Sequence, residues 1–172
     1  KSKKFHFTDF TESHYIKLLK MGKKNYSFEK FGTKSEKPHI ILRHDVDYSV
    51  HRALALAKIE SKQNIYSTYF FQLRSEFYNI FEKTISSKIN QILELGHDVG
   101  LHFDLSVYDK KTKKDITHNI KWEKKILSEL LNKKISVFSF HNPDLKYALS
   151  IPDYKISGMI NTYSKKLKNS HY

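Results

Sequence analysis

Cysteine is absent from the 172 residues, and arginine occurs only at Arg43, Arg52 and Arg74. The first absence excludes disulfides and thiolate metal sites. The second bears on the net charge of +13, which is nearly all lysine. Specific phosphate readers favour arginine, whose planar fork binds two oxygens at once. The lysines are scattered over helix faces and loops, at Lys110, Lys111, Lys113 and Lys114, at Lys124 and Lys125, at Lys133 and Lys134, and at Lys165 and Lys166. Nucleic-acid binding would rest on charge alone and is not expected, whereas an anionic polymer or a phosphorylated carrier fits the charge equally well. No apolar run is long enough to cross a bilayer. No leader segment is visible, although Lys1 rather than Met comes first, which leaves room for a removed leader or tag. A soluble, cytoplasmic chain is the expectation.

What is present points to a packed domain. Hydrophobic residues make up 39% of the chain and aromatic ones 14%, shares that argue against disorder and can fill one core. Four segments repeat one pattern: an apolar strand, a polar cluster, an amphipathic helix. A strand over residues 39–47 precedes a helix over 49–63, with Ser49 as N-cap and Ala53, Leu56, Ala57 and Glu60 at helical spacing. A strand over 65–73 precedes a helix over 81–95 that carries Ile85, Ile89, Ile92 and Leu93 and stops at Gly96. A strand over 97–103, alternating at Val99, Leu101 and Phe103, leads through a lysine-rich loop to a helix over 115–131. That helix has an apolar stripe of Ile116, Ile120, Ile126, Leu127, Leu130 and Leu131. A fourth strand covers 135–140 and a fifth 158–163, while the first forty residues read as a short strand and an outer helix over 12–22. Strands alternating with helices of this length imply parallel strands joined by crossovers in one α/β domain over 1–172.

In parallel α/β folds the functional groups collect at the carboxyl ends of the strands. The first strand ends in Arg43-His44-Asp45-Val46-Asp47. At i and i+2 of an extended segment, Asp45 and Asp47 point to one side and share a small volume. Like charges that close repel unless a cation, a proton or strong hydrogen bonds compensate, so the pair suits a metal, a base or both. The third strand ends in His102 and Asp104, and the fourth in His141 and Asn142. Metal-competent side chains at three strand ends outweigh the plainer reading, in which they cap helices and make turns. Tyr69, Phe70 and Phe71 read as core, Tyr66 and Tyr78 as half-buried or as lining a saccharide groove, and Trp122 as packed within its helix. His6, His14, His51, His118 and His171 read as surface.

Four motifs, Arg43-His44-Asp45-Val46-Asp47, Ser67-Thr68-Tyr69-Phe70-Phe71, Leu95-Gly96-His97-Asp98-Val99-Gly100-Leu101-His102 and Phe140-His141-Asn142-Pro143, occur in a telling order and spacing. Together they resemble the polysaccharide deacetylase superfamily, the NodB-homology or carbohydrate esterase family 4 fold, and within it the divergent branch found with bacterial surface-polysaccharide genes. The resemblance runs from Phe7 to Tyr163. It implies a distorted (β/α) barrel with fewer than eight strands, here incomplete at its C-terminal end. It also implies a metal-dependent hydrolase that removes acetyl groups from N-acetylated sugars, free or carrier-linked. Asp45 then stands at the general base, Asp47 and His102 at metal ligands, and His97 beside the ligand without being one. One carboxylate plus imidazoles suits zinc first, and also cobalt or nickel. The oligomeric state does not follow.

Three departures from the family pattern matter. Its second ligand histidine falls four residues after the first, where this chain has Ser106. A third donor is then His141 or Asp104, and His141 is preferred because it sits at another strand end and restores an imidazole. The motif from Phe140 to Pro143 stands where the family has an arginine that orients the base. Finally, the late motifs, with the histidine that serves as general acid, have no counterpart before Tyr172, so the chain is a truncated piece or the acid comes from elsewhere. His141 can be that acid only if it is not a ligand. Arg43, His44, Asp104 and Asn142 complete the candidate set. The alternative class is a catalytically degenerate saccharide-binding or scaffold member of the same fold.

Overall fold

The alternation of strands and helices builds a curled sheet with helices on one side. The computed structural model describes residues 7–109, 112–143 and 146–168. After a short 3-10 turn come α1 (Glu12–Asn25), β1 (Ser27–Phe28), β2 (His39–Ile40), β3 (Arg43–Val46), α2 (Val50–Lys62) and β4 (Thr68–Phe71). Then follow α3 (Lys83–Glu94), β5 (Asp98–Asp104), α4 (Lys113–Leu130), β6 (Val137–His141), β7 (Lys155–Ile156), β8 (Met159–Asn161) and the single turn α5 (Lys165–Lys168). The main sheet has the order β3-β4-β5-β6-β8-β7. All its neighbours are parallel except β7, which pairs antiparallel with β8. No helix among the described residues is long and apolar enough to cross a membrane.

Local chemistry sets most element ends. The Ser49 side chain accepts from Arg52 N–H and opens α2. Thr112 accepts from Asp115 N–H, so α4 starts at Lys113, slightly earlier than its apolar stripe suggests. Glu82 accepts from Ile85 N–H, which delays α3 to Lys83. Gly96 ends the turn after α3 at φ +94, a left-handed backbone that side chains disfavour. The single strand expected over 39–47 is split in two. Ile40 accepts from Glu29 N–H and extends the β1–β2 ladder, whereas Leu42 accepts from Thr68 N–H and begins the β3–β4 ladder. The two halves therefore belong to different sheets.

Strand alternation assigns the two faces. Tyr69, Phe71, Val99, Leu101, Phe103, Phe138 and Phe140 join Ala57, Ile89, Ile120 and Leu127 of the helices in the main core. The residues between them point the other way, where Phe70, Val137 and Ile160 form a smaller cluster against Phe31. Gly100 belongs to this inner face. A Cβ there would lie 2.4 Å from the Phe70 ring, so the buried ring requires glycine opposite it. Tyr69, Phe70 and Phe71 are core, as their apolar run implies.

On the inner face Arg43 of β3 donates to Thr162 Oγ1 (3.0 Å) and Tyr163 Oη (3.3 Å), just past β8. In a flat sheet the intervening strand spacings would separate β3 from β8 by about 19 Å, beyond the reach of an arginine. The sheet must therefore curl. It does not close: among the described residues β3 and β7 are edges with no strand-to-strand pairing across the gap. The barrel expected from the motifs is present as a curled, open α/β sheet whose gap is spanned by a side chain.

Candidate metal centre

The carboxyl ends of β3, β5 and β6 converge on the inner face. Arg43, Asp45 and Asp47 form one row, His102 and Asp104 a second, and His141 ends a third, with Asp104 opposite His141 and His102 opposite Ser139 in the β5–β6 register. Three donor atoms meet there. Asp47 Oδ1 lies 3.1 Å from His102 Nε2 and 3.1 Å from His141 Nδ1, and the two imidazole nitrogens are 3.3 Å apart. A tetrahedral ion bonded at about 2.0–2.1 Å spans donor–donor edges of about 3.3 Å. The triangle therefore fits a divalent cation of zinc's size. It fits hydrogen bonding less well, because at most one proton can lie between the facing nitrogens.

The surroundings orient the donors. Gln72 Nε2 donates to Asp47 Oδ1 (3.0 Å) and lies 3.2 Å from His141 Nδ1, while the Asn142 amide lies 2.9 Å from Nε2 on the far side of that ring. His102 is 2% exposed. Burial pushes its pKa below the ordinary imidazole value, with Asp45 and Asp47 opposing and His141 reinforcing the shift. Near neutral pH its Nε2 lone pair is accordingly free to ligate. Asp47 and His141 are only half-buried, and a cavity of about 520 Å³ opens over them, lined also by Gln72, Asp104 and Ser106. Three donors with one open side would leave a bound ion a further position for water or another ligand.

Asp45 stands beside the triangle and interacts electrostatically with His102. Its Oδ2 accepts from Arg43 Nη2 at 2.5 Å. Burial disfavours the Arg43 cation, but Asp45 and Tyr163 outweigh it and raise its pKa. The guanidinium also lies over the Phe70 and Tyr163 rings. Thus the carboxylate is held by an arginine of its own strand, two residues before it.

Other candidates lie elsewhere. Asp104 is at the cavity wall, where its Oδ1 accepts from Ser106 N–H (2.8 Å) in a turn. His44 points to the opposite face, with Nε2 2.6 Å from Glu60 Oε1. His97 is buried between Ala57 O (2.9 Å) and Ser67 Oγ (2.9 Å). Tyr78 braces the site from behind, donating to Val46 O and accepting from Gln72 N–H. Tyr66 precedes β4, away from the donors, beneath Lys30. Trp122 is more exposed than its helical position suggests, at 45%, with Arg74 over its ring. His51 and His118 are exposed and His14 half-buried, whereas His6, His171, Lys110 and Lys111 lie outside the described residues. Gln72, Thr162 and Tyr163 also reach the site, Gln72 through Asp47 and the other two through Arg43. Strand alternation two residues past Phe70 could have marked Gln72; nothing local marks the other two.

At the sequence level no protein family and no curated protein matches the chain. Its fold does match a solved structure, the Streptococcus pyogenes deacetylase PplD in complex with acetate, at a TM-score of 0.54 and 15% identity. The match covers 84% of this chain and 64% of that one, less than two thirds of the deacetylase. The likeness is one of fold, and it agrees with the fold to which the sequence motifs point.

Proposed function

We propose that this chain is a metal-dependent deacetylase, a hydrolase of amide C–N bonds acting on an acetamido sugar of a surface polysaccharide or its precursor, free or carrier-linked. The observation that carries this reading is the triangle of Asp47 Oδ1, His102 Nε2 and His141 Nδ1, with edges of 3.1–3.3 Å and a cavity on its open side. The fold shared with a deacetylase supports it. Zinc suits the donor set best, and cobalt or nickel suits it next.

When bound, a divalent ion supplies Lewis-acid polarisation of an amide carbonyl and lowers the pKa of a water. The chain supplies the rest. Asp45 accepts the proton of the attacking water, held in orientation by Arg43, which Thr162 and Tyr163 fix in turn. His102 stays neutral through burial and keeps its lone pair for ligation. His141 acts as the third ligand through Nδ1, in place of the histidine that the family has where this chain has Ser106. The proton that Asp45 takes from the water is then the one passed to the leaving amine as the C–N bond breaks. Gln72 and Asn142 set the orientation of Asp47 and His141.

Elemental mass spectrometry of the untagged protein, paired with an acetate-release assay on acetylated sugars, tests the proposal. About one equivalent of metal should co-purify. His102→Ala should lose both metal and acetate release, and Asp45→Asn should keep the metal and lose turnover. Acetate release that survives in both variants would reject the site. Saccharide binding without turnover in the metal-loaded wild type would instead identify a binding member of the fold.

A further inference from the structure

Two large aromatic side chains at the cavity are left to solvent. Tyr48 is 69% exposed and Phe77 is 59% exposed, yet their rings meet edge-on, with centroids 4.6 Å apart at 62°. Both line the cavity that opens over Asp47 and His141. Neither belongs to the buried core. Exposed aromatic surface of this size is unfavourable in water unless something covers it, and a paired patch marks a contact site more strongly than scattered rings do.

The pair is also tied to the donor triangle. Tyr48 follows Asp47 directly. Phe77 N–H donates to Ser75 Oγ (3.0 Å), and Ser75 Oγ reaches Asp47 O at 3.4 Å. The loop carrying Phe77 is therefore fastened to the backbone of a candidate ligand, which fixes the platform relative to the reacting centre. Sugar rings present an apolar face of C–H groups and a rim of hydroxyls. The first stacks on aromatic faces, and Arg74, Glu76 and Asn142, which line the same cavity, offer polar partners for the second. A cavity of about 520 Å³ is also larger than one acetamido group fills.

We infer that Tyr48 and Phe77 form a sugar-stacking subsite for the ring next to the acetamido sugar, so that the ligand is an oligosaccharide or polymer rather than a free monosaccharide. This deepens the reading of the same site as a sugar deacetylase and rests on it. It takes the loop after β4 as part of the binding surface.

Calorimetric titration with N-acetylglucosamine and with its β-1,4- and β-1,6-linked tetramers tests this, with acetate release followed in parallel. A tetramer should bind wild type about tenfold more tightly than the monomer, and Tyr48→Ala/Phe77→Ala should lose that gain while binding the monomer as before. Tyr48→Phe/Phe77→Tyr should keep it. Both substituted positions are exposed, and circular dichroism verifies that the variants are folded. Equal affinity for monomer and tetramers, no saccharide binding at all, or a chain-length gain that survives the double alanine change would overturn the subsite. Acetate release without a length dependence would leave the deacetylase standing and the subsite refuted. A length dependence carried by the two rings without acetate release would do the reverse.

Discussion

Among the described residues, two clusters each combine one carboxylate with two histidines, and they have opposite characters. At the strand ends one potential ligand atom each of Asp47, His102 and His141 lies within 4.8 Å of the others. Behind the sheet, Glu60 sits between His44 and His97. Its Oε1 accepts from Tyr15 and lies 2.6 Å from His44 Nε2, and its Oε2 accepts from Ser67 (2.5 Å) and Tyr69 (2.8 Å). Both oxygens are saturated by hydroxyl and imidazole donors, and both nitrogens of His97 have partners. Burial alone would raise the Glu60 pKa, yet His44, Ser67 and Tyr15 outweigh it and hold it below the ordinary value. The same residue types thus make a finished hydrogen-bond network in one place and a group that could hold a metal ion in the other. The kind of partner differs: hydroxyls donate to Glu60, whereas among the described residues the partners of Asp47 Oδ1 are the Gln72 amide and the two imidazoles.

The largest break in that comparison should come from His102→Ala. Removing a donor should weaken metal retention by more than the about 10–100-fold lost with an outer partner, as read by elemental analysis and competition with a chelator. Glu60→Ala should do the converse. It strands four donors in the interior and should cost about 3–5 kcal/mol in denaturant unfolding, while the folded fraction still takes up metal.

A third carboxylate sharpens the contrast through pH. Burial pushes Glu123 up to about 7, with Asp104 adding to the shift and Tyr108 and Arg74 opposing it. A carboxyl raised in the fold contributes stability that is complete below its ordinary value of 4.5 and lost as pH rises through about 7. Glu60, lowered in the fold, contributes in the opposite sense: its share is present above the ordinary value and fades as pH falls. Glu123→Gln should therefore stabilise the protein at pH 8 relative to pH 5, by up to about 3 kcal/mol in denaturant melts. A variant with an unchanged pH profile would place the Glu123 titration elsewhere. The smallest effect belongs to Gln72→Ala, which should lower metal affinity by about tenfold and leave stability nearly unchanged.

The sequence made much of this readable. Ser49 as a cap, Gly96 as a stop and the stripe through Ile116, Ile120 and Leu127 are local signals, and each marks an element end or a buried face in the structure. The paired Asp45 and Asp47 were legible because a two-residue period needs no partner strand. The role of Arg43 beside Asp45 was harder to see, since the family motif places an arginine near His141 instead. His44 was ambiguous for a similar reason: it sits within the same motif, but strand alternation turns it to the helix side, toward Glu60. The split between β2 and β3 is not legible in the sequence, because an unbroken apolar run contains no sign that its halves pair with different neighbours.

The sequence by itself determined the strand–helix alternation, the core-facing stripes and a row of carboxylates at a strand end, all set by contacts a few residues apart. Only the tertiary structure decided which histidines meet Asp47, and it brought both His102 and His141 to it, the latter from 94 positions away. It likewise brought Thr162 and Tyr163 across to Arg43 and left Tyr48 and Phe77 beside the cavity. Those meetings depend on strand order and on the curl of the sheet. Both follow from how whole faces pack against one another, and no local period carries that information.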